Sequence, residues 1–124
     1  MQLLYVDDER INLMLFEHAC SAIDGVQVAT AASGTEALEV ARDAMPQLLV
    51  IDLHLPDTDG LALLRALRAL PGLAQVPAFL CSADDDPALR RQAAEAGFAG
   101  CWPKPVDIGQ LRQSLSALGL APAA

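Results

Sequence analysis

The sequence predicts an α/β fold in which five strands alternate with five helices, the strands forming one parallel sheet covered on both faces. Three observations carry this expectation. Apolar runs over residues 3–6, 26–31, 48–51 and 76–81 are separated by helical patterns, and such alternation marks a parallel sheet built from βα units. The inner runs are apolar almost throughout, as strands buried on both faces are. Several runs also end in polar groups: Asp7-Asp8, Asp52, Ser82 and, after a short fifth run, Lys104-Pro105.

Each element has its own signal. The run at 3–6 is the first strand, and residues 10–23 are rich in helix-compatible apolar side chains with a poorly defined face. Gly25 turns the chain into the second strand. Ser33-Gly34-Thr35-Glu36 reads as a capping box, with Leu38, Ala41 and Met45 following at helical spacing until Pro46 stops the helix. The third strand runs into Asp52. Asp59 can cap the next helix, which carries Leu63, Leu64, Leu67 and Leu70 before Pro71-Gly72 breaks it. After Ser82, Asp84-Asp85-Asp86 with Pro87 opens a fourth helix, since acids suit the positive end of the dipole and Pro the first helical position. Leu89, Ala93 and Ala96 form its stripe, and Gly97 ends it. Trp102 reads as a core residue closing the fifth strand. Ile108, Leu111, Leu115 and Leu118 mark the last helix.

Bulk properties narrow the function classes. The 124 residues suit one domain, read as residues 1–120 with a loose tail at 121–124, and a closed eight-fold barrel would need roughly twice this length. With 53% apolar residues the chain is not a disordered tail. A net charge of −8 argues against a nucleic-acid surface, which needs Lys and Arg. Cys20, Cys81 and Cys101 are odd in number and lack a CxxC spacing, so they read as reduced thiols of a cytoplasmic protein. No eighteen-residue apolar run and no basic flank before the first strand point to a membrane span or a signal peptide.

The carboxyl ends of an open parallel sheet meet along one edge, where ligands bind. Asp7, Asp8, Asp52, Ser82 and Lys104 would converge there, a site for a divalent cation and a phosphoryl group. Magnesium takes hard oxygen ligands, and crowded carboxylates without a cation would repel one another. A carboxylate such as Asp52 can act as a nucleophile toward phosphorus. Lys104 could pair with Asp52 and neutralise a phosphate, and its flanking prolines aim it. They also make a cis Lys104-Pro105 bond conceivable. The backbone carbonyl of His54 could reach a metal. Each residue also has a plainer reading. Asp7 or Asp8 could cap the first helix, Asp52 could bond the following turn, Ser82 could be a helix cap, and Lys104 could be a surface lysine. Asp57 and Asp59 read as turn and cap residues, and His18 as surface or half-buried.

The joint pattern resembles the response-regulator receiver domain over residues 3–118. The matching pieces are Leu4-Tyr5-Val6-Asp7-Asp8-Glu9, Val50-Ile51-Asp52-Leu53, Leu55-Pro56-Asp57-Thr58-Asp59-Gly60, Ser82-Ala83 and Lys104-Pro105. The resemblance implies a three-layer flavodoxin-like (βα)5 fold with strand order 2-1-3-4-5. It implies Asp52 as phosphoacceptor, Mg2+ on Asp8 and Asp52 with Asp7 helping through water and His54 giving a carbonyl, Lys104 on the phosphoryl oxygen and Ser82 as the switch hydroxyl. The phosphoryl donor would be a sensor histidine kinase or a histidine phosphotransfer protein, with no direct role for nucleic acid or membrane, and homodimerisation on phosphorylation stays open. The domain would catalyse its own phosphotransfer and dephosphorylation. With no effector segment visible, it reads as a stand-alone regulator or a module of a larger protein. Asp8-Glu9-Arg10-Ile11-Asn12-Leu13 and the stretch from Ala96 to Asp107 are similar to receivers attached to hybrid histidine kinases. One departure stands out: the family's Tyr or Phe three residues before the lysine is Cys101 here, so the switch is expected to run through the loop after Ser82. A haloacid-dehalogenase-type phosphatase fits less well, because the residue two after Asp52 is His54 and not an aspartate. A silent receiver would lack one of Asp8, Asp52 or Lys104.

Overall fold

The structure, a computed structural model, describes residues 1–83, 86–104 and 106–119. Five strands and five helices alternate: β1 (Gln2–Val6), α1 (Arg10–Cys20), β2 (Gln27–Ala31), α2 (Gly34–Ala44), β3 (Leu48–Asp52), α3 (Gly60–Arg68), β4 (Ala78–Ser82), α4 (Pro87–Ala96), β5 (Gly100–Pro103) and α5 (Ile108–Ala117). All strand pairings are parallel, in the order β2-β1-β3-β4-β5. The fold is the three-layer one expected. Asp84, Asp85, the Lys104-Pro105 bond and the tail at 121–124 lie outside the described residues.

The two sheet faces explain the near-continuous apolar strands. Alternate residues point to opposite faces. Leu4, Val6, Leu49, Ile51, Ala78 and Leu80 pack with α2, α3 and α4 through Ala37, Ala41, Leu63, Leu64, Leu67 and Ala93. Leu3, Tyr5, Leu48, Val50, Phe79, Cys81 and Trp102 pack on the other face with Phe16 and Cys20 of α1 and Leu111 and Leu115 of α5. Trp102 is buried as expected and stacks on Phe79 with ring centroids 4.7 Å apart.

The caps are largely those read from the sequence. Ser33 accepts from Glu36 N at 3.1 Å and Asp59 from Ala62 N at 2.8 Å. Asp86 accepts from Ala88 N at 2.9 Å with Pro87 in the first turn, and Gly97 closes α4 with φ 105°. Several edges differ. Helix α1 stops at Cys20, short of Ile23. Strand β4 begins at Ala78, because Pro77 has no N–H for the ladder and Val76 N turns back to Leu73 O. Met45 is not on the α2 stripe: it is the left-handed C-cap, φ 48°, with its side chain exposed. Ala96 and Leu118 are exposed as well, Ala96 as the last residue of α4 and Leu118 as the C-cap of α5. On α1, Ile11, Met14 and Leu15 are exposed, which is why that helix showed no clear face in the sequence. Among the described residues no helix is long and apolar enough to cross a membrane.

Candidate functional site

The carboxyl edge of the sheet gathers the predicted polar groups. Asp7 follows β1 immediately, and its backbone N–H bonds Ala31 O at 3.0 Å, continuing the β1–β2 ladder. Asp52 is the last residue of β3 and pairs with Cys81 in register, so Ser82 lies one step further along the neighbouring strand. Lys104 follows β5, and its backbone N–H bonds Ser82 O at 3.2 Å. Asp7, Asp52 and Ser82 are the polar residues buried here, at 0%, 5% and 6% exposure, while Asp8 is exposed.

Lys104 ties the acids together. Its Nζ stands 2.9 Å from Asp52 Oδ2 and 3.1 Å from Asp7 Oδ2. Carboxylate oxygens of Asp7, Asp8 and Asp52 lie within 4.8 Å of one another, a hard-oxygen set suited to a divalent cation. The charges perturb each other. Burial pushes the Asp52 carboxyl above its ordinary range, Lys104 pulls it back, Asp7 raises it again, and the net direction is up. Burial works against the Lys104 charge, but its bonds to Asp52 and Asp7 outweigh that and raise its pKa. Both directions fit a site with more carboxylates than ammonium groups.

The plainer readings fare unevenly. Neither Asp7 nor Asp8 is the N-cap of α1; that position is Glu9, which offers no side-chain bond. Ser82 does not cap α4, because Asp86 does. Lys104 is not a free surface lysine. Asp52 does touch the following turn, through the backbone N–H of His54. The His54 imidazole is exposed, and its backbone forms a bridge with Asp59 that closes the turn. His18 is exposed too.

Three features escaped sequence reasoning. Tyr5 donates its hydroxyl to Asp7 Oδ2 at 2.9 Å, and Asn12 Nδ2 donates to the same oxygen at 3.1 Å. A tyrosine two residues before an aspartate on a strand shares its face, so the alternation held that signal. Burial pushes the Tyr5 phenol far above its ordinary value, which keeps it a donor. Asp57 is more than a turn residue. It accepts from Gly34 N at 2.8 Å and from Thr35 N and Oγ1 at 2.9 Å, holding the start of α2 from across the edge. Gly60 supplies a close approach: a Cβ there would sit 2.7 Å from Asp52 O and 2.8 Å from Leu80 Cδ1.

A family model described as the response regulator receiver domain matches residues 3–116. The chain belongs to the response regulator receiver domain family. A probable chemotaxis protein CheY of Rhizobium etli is 25% identical over 118 residues, covering 95% of this chain and 92% of that protein. The transcriptional regulatory protein PrrA of Mycobacterium tuberculosis is 33% identical over 117 residues, covering 94% of this chain but 49% of that protein. The crystal structure of the Vibrio cholerae chemotaxis protein CheY4 superposes with a TM-score of 0.85 at 25% identity, covering 94% of this chain and 96% of that one. The chain is therefore a receiver domain of two-component signalling.

Proposed function

We propose that this receiver accepts a phosphoryl group on Asp52, with Mg2+, from the phosphohistidine of a sensor histidine kinase or phosphotransfer protein in the cytoplasm. The observation that carries the reading is Lys104 Nζ shared between Asp52 and Asp7 beside Asp8. The donor set fits Mg2+: Asp8 and Asp52 would hold it directly, Asp7 through water and His54 through its carbonyl. When bound, the cation would neutralise charge on the oxygens of the transferred group.

The residues supply the rest. An Asp52 oxygen attacks phosphorus, the P–N bond breaks, and the departing imidazole keeps the electron pair. Lys104, already within bonding distance of Asp52, follows the new phosphoryl oxygens. The Ser82 hydroxyl, one step along β4, bonds another and carries the loop after it, biasing two packings of that segment. Hydrolysis of the same acyl phosphate resets the domain, and a phosphorylated homodimer belongs to the same reading. Ile11, Met14 and Leu15 support a protein donor. They expose apolar surface on α1 beside the cleft where Leu15 and Asn12 meet Lys104 and Val106, and exposed apolar patches mark contact surfaces.

Intact mass after incubation with acetyl phosphate tests the proposal. Labelling is expected with Mg2+, and neither in EDTA nor in Asp52→Asn. Equal labelling of that variant would remove Asp52 from its role.

A further inference from the structure

Asp7 carries more donors than a cation site asks of it. Three meet on Oδ2: Tyr5 Oη at 2.9 Å, Asn12 Nδ2 at 3.1 Å and Lys104 Nζ at 3.1 Å. A fourth, Glu9 N, reaches Oδ1 at 3.0 Å. The Tyr5 ring is fixed from behind by Phe16, stacked at a centroid distance of 4.3 Å. Asn12 is anchored in the first turn of α1. These two donors bond Asp7 alone, whereas Lys104 is bonded at the same time to Asp52.

We infer that Tyr5 and Asn12 are positioning residues that keep Asp7 satisfied, so that Lys104 can leave it for a phosphoryl oxygen on Asp52. The inference rests on the phosphoacceptor reading. A fully buried carboxylate with a single partner holds that partner tightly, because losing it strands a charge away from water. If Lys104 were the only side chain on Asp7, the acid would compete with the phosphoryl group for the ammonium. Two fixed donors weaken that competition. They also absorb negative charge that a cation would otherwise neutralise, so they lower cation affinity while they release the lysine.

The two effects have opposite signs, and that separates positioning from mere structural support. Tyr5→Phe keeps the ring and its stack on Phe16, and Asn12→Ala keeps a good helix former on α1. On the full chain, Mg2+ alone is measured by calorimetry. Beryllofluoride is then measured at saturating Mg2+ by amide NMR. Each variant should bind Mg2+ about fivefold more tightly and beryllofluoride about fivefold more weakly, the factor expected of one net hydrogen bond. Unchanged affinities, or two affinities that fall together, overturn the inference. A wild-type chain that ignores beryllofluoride in Mg2+ overturns the phosphoacceptor reading instead. The Mg2+ arm would then still decide whether Tyr5 and Asn12 shield Asp7.

Discussion

Replacing the Asp52 carboxylate with its uncharged isostere should stabilise the metal-free protein. Lys104 at 2.9 Å from Asp52 contributes about 5–6 kcal/mol of attraction at an effective dielectric near 20. Asp7, within 4.8 Å, returns about 3–4 kcal/mol of repulsion. The balance favours the carboxylate by about 2 kcal/mol, but taking an ion out of water costs several kcal/mol, and Asp52 is nearly buried. The remainder runs against the charge, in agreement with the raised Asp52 pKa. Lys104 is not stranded in Asp52→Asn, because it keeps Asp7 at 3.1 Å. We therefore expect Asp52→Asn to gain on the order of 1–2 kcal/mol in EDTA, roughly 4–8 °C in Tm for a domain of this size. Urea unfolding measures the difference directly. Its pH dependence follows from linkage. An acid with a higher pKa folded than unfolded binds more protons in the folded state, so its stabilising share is lost as pH rises above about 4. The gap between variant and wild type should thus open above that pH and close below it. Saturating Mg2+ should stabilise wild type more than the variant and shrink the gap. A variant less stable than wild type in EDTA at neutral pH, or equal Mg2+ increments for both proteins, would refute the electrostatic argument.

Three further outcomes are expected. Gly60→Ala should cost about 2–3 kcal/mol, because the new methyl meets the Asp52 carbonyl and Leu80, and it should weaken Mg2+ binding by calorimetry as the end of β3 shifts. Asp57→Ala should speed hydrogen exchange at the Gly34 and Thr35 amides. Those backbone bonds hold the Asp57 pKa below its ordinary value, so the support from Asp57 is present above about pH 4 and disappears as pH falls through its folded pKa. Lys104→Arg should lose the amide NMR response to beryllofluoride, since a planar fork cannot replace a point ammonium shared between Asp7 and Asp52.

Much of the molecule was legible in the chain. The five apolar runs, the caps at Ser33, Asp59 and Asp86 and the stop at Gly97 are local codes, written in side-chain period and in backbone chemistry within a few residues. The polar residues at the carboxyl ends of β1, β3, β4 and β5 were legible for the same reason, and parallel topology brings such ends to one edge. Element edges were less so. Met45, Ala96 and Leu118 keep the helical spacing, yet each stands at the end of its helix and is exposed, and spacing does not record where the partner surface stops.

The choice among alternative roles belonged to the tertiary structure. In the sequence, Asp7 read equally as a helix cap or as a site carboxylate, and Lys104 as surface residue or counter-ion. The structure removes the cap, because Glu9 holds that position, and it makes Lys104 a counter-ion to acids 52 and 97 positions away: Lys104 bonds Asp7 and Asp52 together because β5, β3 and β1 end at one edge. Asp57 likewise reads as a turn residue until α2, 22 and 23 residues earlier, presents its open amides to it. Local sequence sets what a side chain can donate or accept. Which group it meets depends on the order and register of strands, and those are properties of the packed sheet rather than of any one segment.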